Sequence, residues 1–280
     1  MPDVAGGNAG VAVPDGATPA TSPATSPATS PATSPATSPV SVPSADTRPV
    51  AVVTGARKGI GRYLAEWLLG AGYRVLGCGR GAEGWEADGF AYQVVDVAEE
   101  AQVLPFMRHV SQAYGRLDAL INCAALASMN HTILTPVSSV EKMLRANVTG
   151  TFLMSREAAK LMRKRRFGRI VNLSSAVVPL RLSGEAAYLA SKSAVQTLSQ
   201  VMARELSEFG ITVNVVAPGP TDTDMIRGVP KARIDELTKQ FFNKRLTTLD
   251  DIANVVQFFL RPGSGGVTGQ VIYLNGVPNG

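Results

Sequence analysis

Val50-Ala51-Val52-Val53 is a short apolar run, mostly β-branched, the pattern of a parallel strand buried on both faces. Directly after it, Ile60, Leu64, Trp67/Leu68 and Ala71 recur at helical spacing. The same alternation continues to the end of the chain. It predicts further strands at about 73–78, 91–95, 118–121, 169–173, 211–216 and 271–274, with helices in most gaps. Strand-helix alternation of this kind predicts an α/β fold, a doubly wound, seven-stranded parallel sheet with helices on both faces. Three stretches break the pattern. Arg80–Phe90 is short and Gly-rich, so no full helix is expected there. Pro105 interrupts the series Val103, Met107, Val110, Tyr114 and marks a late helix start or a kink. Residues 224–246 fit no core element.

The first 48 residues are a different material. Pro-Ala-Thr-Ser repeats five times from Pro19 to Ser38, and large apolar residues are almost absent. Such a segment cannot bury enough surface to offset its ordering entropy, so residues 1–48 read as a disordered tail with polyproline tendency. It has neither a basic n-region nor an apolar h-region, so it does not read as a signal peptide. Residues 49–280 then form one domain. A chain beginning near Thr47 should keep its melting temperature and turnover. A loss of several degrees would show that the tail docks on the domain.

Two motifs carry chemistry. Thr54-Gly55-Ala56-Arg57-Lys58-Gly59-Ile60-Gly61 joins the first strand to the first helix. Its glycines permit a tight turn and close backbone approach, and the helix N-terminus offers free N–H groups to a phosphate. Further on, Ser175 precedes Tyr188 by thirteen positions and Lys192 follows Tyr188 by four. Residues i and i+4 share a helix face, and an ammonium one turn from a phenol favours the phenolate. A phenol brought towards neutral pH can act as a general acid or base.

Together these motifs resemble the short-chain dehydrogenase/reductase family, over about residues 49–280, with a pattern similar to 3-oxoacyl-acyl-carrier-protein reductases. The resemblance implies a Rossmann-like fold. It also implies that Gly55, Arg57, Lys58, Gly59, Ile60 and Gly61 cradle a dinucleotide. Asp96 and Val97, after the third strand, would meet its adenine. Asn122-Cys123-Ala124-Ala125 stands where the family has Asn-Asn-Ala-Gly, so Asn122 and Ala124 would line the cofactor. Pro218-Gly219-Pro220-Thr221-Asp222-Thr223 matches the segment against the nicotinamide, giving Pro218, Gly219, Thr221 and Thr223 as further contacts. The implied catalytic set is Asn147, Ser175, Tyr188 and Lys192. Tyr188 would protonate a carbonyl that Ser175 polarises. Lys192 would hold the ribose and lower the Tyr188 pKa, and Asn147 would anchor a water leading to Lys192. Residues 225–242 would form a mobile substrate lid, and the long helices over 147–166 and 185–209 would pair copies into a homotetramer, with a dimer as the alternative.

Gly79 stands where an acid would select NAD(H), and Arg80 follows it, so NADP(H) is the expected cofactor. The expected reaction is reduction of a ketone on a small or carrier-bound substrate. A dihydrodiol dehydrogenase of the 2,3-dihydro-2,3-dihydroxybenzoate type and a non-catalytic nucleotide sensor remain as alternatives. Net charge is +5, and the tail's acids leave about +7 on the domain. The run Arg163-Lys164-Arg165-Arg166 before Gly168 reads as a helix C-terminus complementing its dipole, not a nucleic-acid site. Cys78 and Cys123 read as small core residues of a cytoplasmic protein. No apolar run is long enough to span a membrane, and no His/Cys/Asp/Glu cluster has metal-ligand spacing. His109 reads as surface; His131 and Arg181 are candidate substrate contacts.

Overall fold

The structure, a computed structural model, describes residues 47–82 and 84–278. The Pro-Ala-Thr-Ser repeat lies outside these residues. The strands are β1 (Val50–Thr54), β2 (Arg74–Gly79), β3 (Phe90–Val94), β4 (Ala119–Asn122), β5 (Gly168–Leu173), β6 (Ile211–Ala217) and β7 (Val271–Tyr273). All pair in parallel, in the order β3-β2-β1-β4-β5-β6-β7. Each expected strand is present within one residue at either end. The order reverses between β1 and β4. Their C-terminal ends, carrying the Gly-rich turn and the Cys123–Leu126 loop, therefore open the crevice in which such sheets bind ligands.

The apolar runs are continuous because both sheet faces are covered. The helices are α1 (Gly59–Gly70), α2 (Glu100–Tyr114), α3 (Val137–Leu144), α4 (Gly150–Met162), α5 (Ala186–Leu206), α6 (Lys231–Thr238) and α7 (Leu249–Leu260). Val50, Val52 and Ile170 pack on one face against α2, α4 and α5 through Phe106, Met154 and Met202. Ala51, Val53 and Val171 pack on the other against Leu64 and Leu68 of α1 and Val256 and Phe259 of α7. Alternation along a single strand sorts its residues between two cores.

Three expectations are corrected. Helix α2 starts at Glu100 and continues through Pro105. The proline lies in the second turn, where one absent amide costs one intrahelical bond, and Phe106, Met107 and Val110 still dock in the core. Helix α4 ends not at Gly168 but in a 3₁₀ turn over Arg163–Arg165, with Arg166 in the left-handed region at φ +51°. Gly168 is the first residue of β5, where a Cβ would stand 2.4 Å from the Met162 sulfur. The segment 224–246 holds α6 and the fully buried Phe241, which packs with Leu237 and Val277. Burial of one phenyl ring is worth ~1.5–3 kcal/mol, so this segment is anchored at its far end. Between β2 and β3 the described residues form no helix, as expected.

Phe152 of α4 and Val201 of α5 are exposed and line a groove between the two helices. Met202 of α5, by contrast, is a core residue.

Candidate active site

The Gly-rich turn has the geometry of a phosphate cradle. Gly55 and Gly59 hold φ of +68° and +57°, a region that strains any residue with a Cβ. A Cβ on Gly61 would lie 2.3 Å from the Gly55 carbonyl oxygen, so only glycine lets α1 approach the turn this closely. Lys58 at the helix N-cap makes no side-chain cap, and the first turn holds no acid. The first amides of α1 are thus left for an anion. Arg57, Lys58 and Arg80 surround the same cleft, of about 290 Å³. Lys58 pairs with Asp224 at 2.9 Å, whereas among the described residues Arg57 and Arg80 have no ion-pair partner. Trp85 stacks on Phe90 and donates through Nε1 to the Ala56 carbonyl, and the Tyr92 hydroxyl donates to the Gly81 carbonyl. These bonds brace the two turns that carry the arginines. The donor set fits a dinucleotide bearing a further phosphate.

A second cleft, of about 320 Å³, adjoins the first and shares Ile60, Cys123, Ala125, Thr223 and Met225 with it. Ser175, Tyr188 and Lys192 line it together. Ser175 follows β5, in a loop fixed by Ser174 N–H bonding the Val216 carbonyl and Ala176 N–H bonding the Pro218 carbonyl. Tyr188 and Lys192 lie one turn apart on α5. The Lys192 ammonium donates to the Leu173 carbonyl at 2.8 Å and stands 5.9 Å from the Tyr188 ring centroid.

Electrostatics here differ from the expectation. Burial pushes the Tyr188 hydroxyl up to about 12; its hydrogen bond with Ser175 opposes this and the nearby Glu185 carboxylate adds to it. Burial pulls Lys192 down to about 8, and Cys123 opposes this. The phenol is therefore not lowered towards neutral pH in this structure. Spacing along a helix sets which groups are neighbours, but desolvation outweighs the neighbour's charge.

Of the expected cofactor contacts, Gly55, Arg57, Lys58, Gly59, Ile60, Gly61, Arg80, Asp96, Val97, Ala124 and Thr223 line the first cleft. Pro218, Gly219 and Thr221 line the second. Asn122 lines neither. Its amide donates to Asn172 and Ser155, and Asn172 donates on to Ser199, forming a buried polar chain across β4, β5, α4 and α5. Asn147 sits in a π turn, Arg145–Thr149, between α3 and α4. Its side chain accepts from the Leu126 amide and donates to the Leu126 carbonyl and Ser191, so it fixes the loop after β4. His109, His131 and Arg181 are exposed and line neither cleft. Sequence reasoning missed Ser191, Glu185 and Arg233. An acid three residues before Tyr188 was the available signal for Glu185.

A dinucleotide crevice at the sheet reversal, with a Ser/Tyr/Lys set at its inner end, defines a nicotinamide-dependent oxidoreductase. Residues 55–276 match a family model described as enoyl-(acyl carrier protein) reductase. The chain belongs to the short-chain dehydrogenase/reductase family. It is 32% identical over 236 residues to the 3-oxoacyl-[acyl-carrier-protein] reductase FabG of Escherichia coli (strain K12), covering 81% of this chain and 96% of the relative. A variant actinorhodin polyketide ketoreductase solved with NADPH superposes with a TM-score of 0.73 at 28% identity, covering 81% of this chain and 95% of that one. The aldohexose dehydrogenase of Thermoplasma acidophilum gives 0.76 at 26% identity, over 82% and 94%.

Proposed function

We propose that this enzyme is an NADPH-dependent ketoreductase, reducing a ketone on a small or carrier-bound substrate to a secondary alcohol. The observation that carries this reading is the convergence of Ser175, Tyr188 and Lys192 where the dinucleotide cleft meets a largely apolar one. NADPH, when bound, supplies the hydride. Tyr188, whose raised pKa keeps it protonated at neutral pH, donates the proton to the carbonyl oxygen. Ser175 hydrogen-bonds that oxygen and polarises it. Lys192 holds the nicotinamide ribose, and Asn147 keeps the Leu126 loop in place beneath it. Met225 and Leu237 of the 225–242 segment line the substrate cleft. Steady-state assays with NADPH and a panel of β-ketoacyl thioesters, quinones and cyclic ketones test the reading; no turnover of any of them would refute it.

NADPH is favoured over NADH because no acid follows β2 and two unpaired guanidiniums, Arg57 and Arg80, face the cleft there. Arg80→Ala should raise the Michaelis constant for NADPH about tenfold, the worth of one charge-assisted contact, and leave that for NADH nearly unchanged. Equal effects on both cofactors would remove Arg80 from the 2′-phosphate site. The protein is further proposed to be cytoplasmic. Its described cysteines are unpaired, and no helix among the described residues is long and apolar enough to cross a membrane. The exposed Phe152 and Val201 support pairing of copies through α4 and α5 into a homotetramer. Light scattering at micromolar concentration should give four times the chain mass; a monomer would exclude this assembly.

A further inference from the structure

Glu185 stands at the N-terminal boundary of α5, three positions before Tyr188. It lines the substrate cleft, yet it is only 4% exposed. Its Oε2 is buried with no hydrogen-bond partner. A buried carboxylate oxygen left unpaired is costly, so native structures seldom retain one without a use. The usual uses are absent. The side chain does not cap α5. Arg233 on α6 exerts its charge on Glu185, but its guanidinium donates to the Ser183 carbonyl at 3.2 Å and makes no ion pair with Glu185. The main chain of Glu185 is fixed at both ends, its N–H bonding the Leu182 carbonyl and its carbonyl accepting from the Leu189 amide. The carboxyl is thus a positioned, unpaired acceptor in a cleft whose wall combines apolar side chains such as Val177 and Leu182 with polar ones such as Ser183 and Glu236. In a cleft of this kind the few polar groups decide which ligand orientation is accepted.

We propose that Glu185 is a specificity-determining residue that accepts a hydrogen bond from a hydroxyl of the substrate, a hydroxyl a few bonds from the carbonyl that Tyr188 protonates. The substrate class is therefore a hydroxy ketone. Arg233 on the same cleft argues against the other donor a carboxylate would take, an ammonium group, because the guanidinium would repel it. The inference rests on the ketoreductase reading and narrows it.

Matched ketones test it. The pairs are 2-hydroxycyclohexanone with cyclohexanone, and 4-hydroxy-3-oxobutanoyl with 3-oxobutanoyl N-acetylcysteamine thioester, each assayed with NADPH. The wild type should favour the hydroxylated member of at least one pair by about ten- to hundredfold in kcat/KM, the worth of pairing a buried polar atom that is otherwise unsatisfied. Glu185→Leu should collapse that ratio towards one, lowering kcat/KM for the hydroxylated ketone at least about tenfold more than for the plain one. If Glu185→Leu fails to fold, Glu185→Gln, which retains shape and loses charge, should lower the ratio at least threefold. A wild-type ratio near one on both pairs, or a ratio unchanged in the folded variants, overturns the assignment of Glu185 and leaves the ketoreductase reading standing. No turnover of any of the four ketones overturns the hydroxy-ketone assignment, and the ketoreductase reading falls with it when the wider panel of thioesters, quinones and cyclic ketones is refused as well.

Discussion

Tyr188→Phe should leave the fold and NADPH binding intact and lower turnover by about 10²–10⁴-fold, the range for loss of a general acid–base group. The ring packs with Val177, Leu189 and Phe241, and phenylalanine fills the same space. The hydroxyl adds only its contact with Ser175. Removing it therefore deletes the proton donor and little else. The measurement is kcat on the best ketone found, with cofactor binding followed separately by NADPH fluorescence, so that a chemical defect and a binding defect are told apart. Near-full activity in this variant would place the proton on another group, and water would be the first candidate.

Lys192→Met should lower turnover and weaken NADPH binding together, because its ammonium is proposed to hold the ribose beside the reacting carbonyl. It should also change the pH dependence of stability. In the folded protein Lys192 titrates at about 8, against 10.5 for a free lysine. Between those values the unfolded chain holds a proton that the folded protein has released. Stability contributed by this group therefore rises with pH from about 8 to 10.5, by up to about 1.4 kcal/mol per pH unit. Tyr188, raised from 10.0 to about 12, acts in the opposite sense only above pH 10. Denaturant melts of cofactor-free protein between pH 8 and 10 should thus show wild-type stability rising relative to Lys192→Met. A constant difference across that window would mean that Lys192 is solvated, not buried.

The sheet was legible because its inner strands β1, β4, β5 and β6 are buried on both faces, leaving unbroken apolar runs between polar or glycine-bearing turns. The cradle was legible for a similarly local reason. Gly55, Gly59 and Gly61 answer to backbone dihedrals and to a carbonyl six residues away or closer. The fourfold spacing of Tyr188 and Lys192 is a property of any helix. Membership of the short-chain dehydrogenase/reductase family followed from these local patterns in their order along the chain.

What the sequence determined by itself was the set of elements, the glycine-rich turn proposed to cradle phosphate and the residues proposed to handle the proton, all read from backbone geometry that is local along the chain. Only the tertiary structure decided where those residues look and how they are charged. Asn122 ends β4 beside Thr54 of β1 and Asn172 of β5, and the approach of α4 and α5 turns its amide to Ser155 and Asn172 instead of the cleft. Asn147 is committed to Leu126 and Ser191, residues 21 and 44 positions away. Tyr188 and Lys192 are desolvated by segments from β5, the loop after β4 and residues 218–241, so burial overrides the neighbour effect that their spacing suggests. Glu185 reads in the sequence as an ordinary acid at a helix start; it becomes an unpaired acceptor only because α6 and the Val177–Leu182 loop close around it. Spacing along the chain sets local geometry, but solvent exclusion and hydrogen-bond partners come from contacts between segments far apart in sequence, and these contacts set pKa.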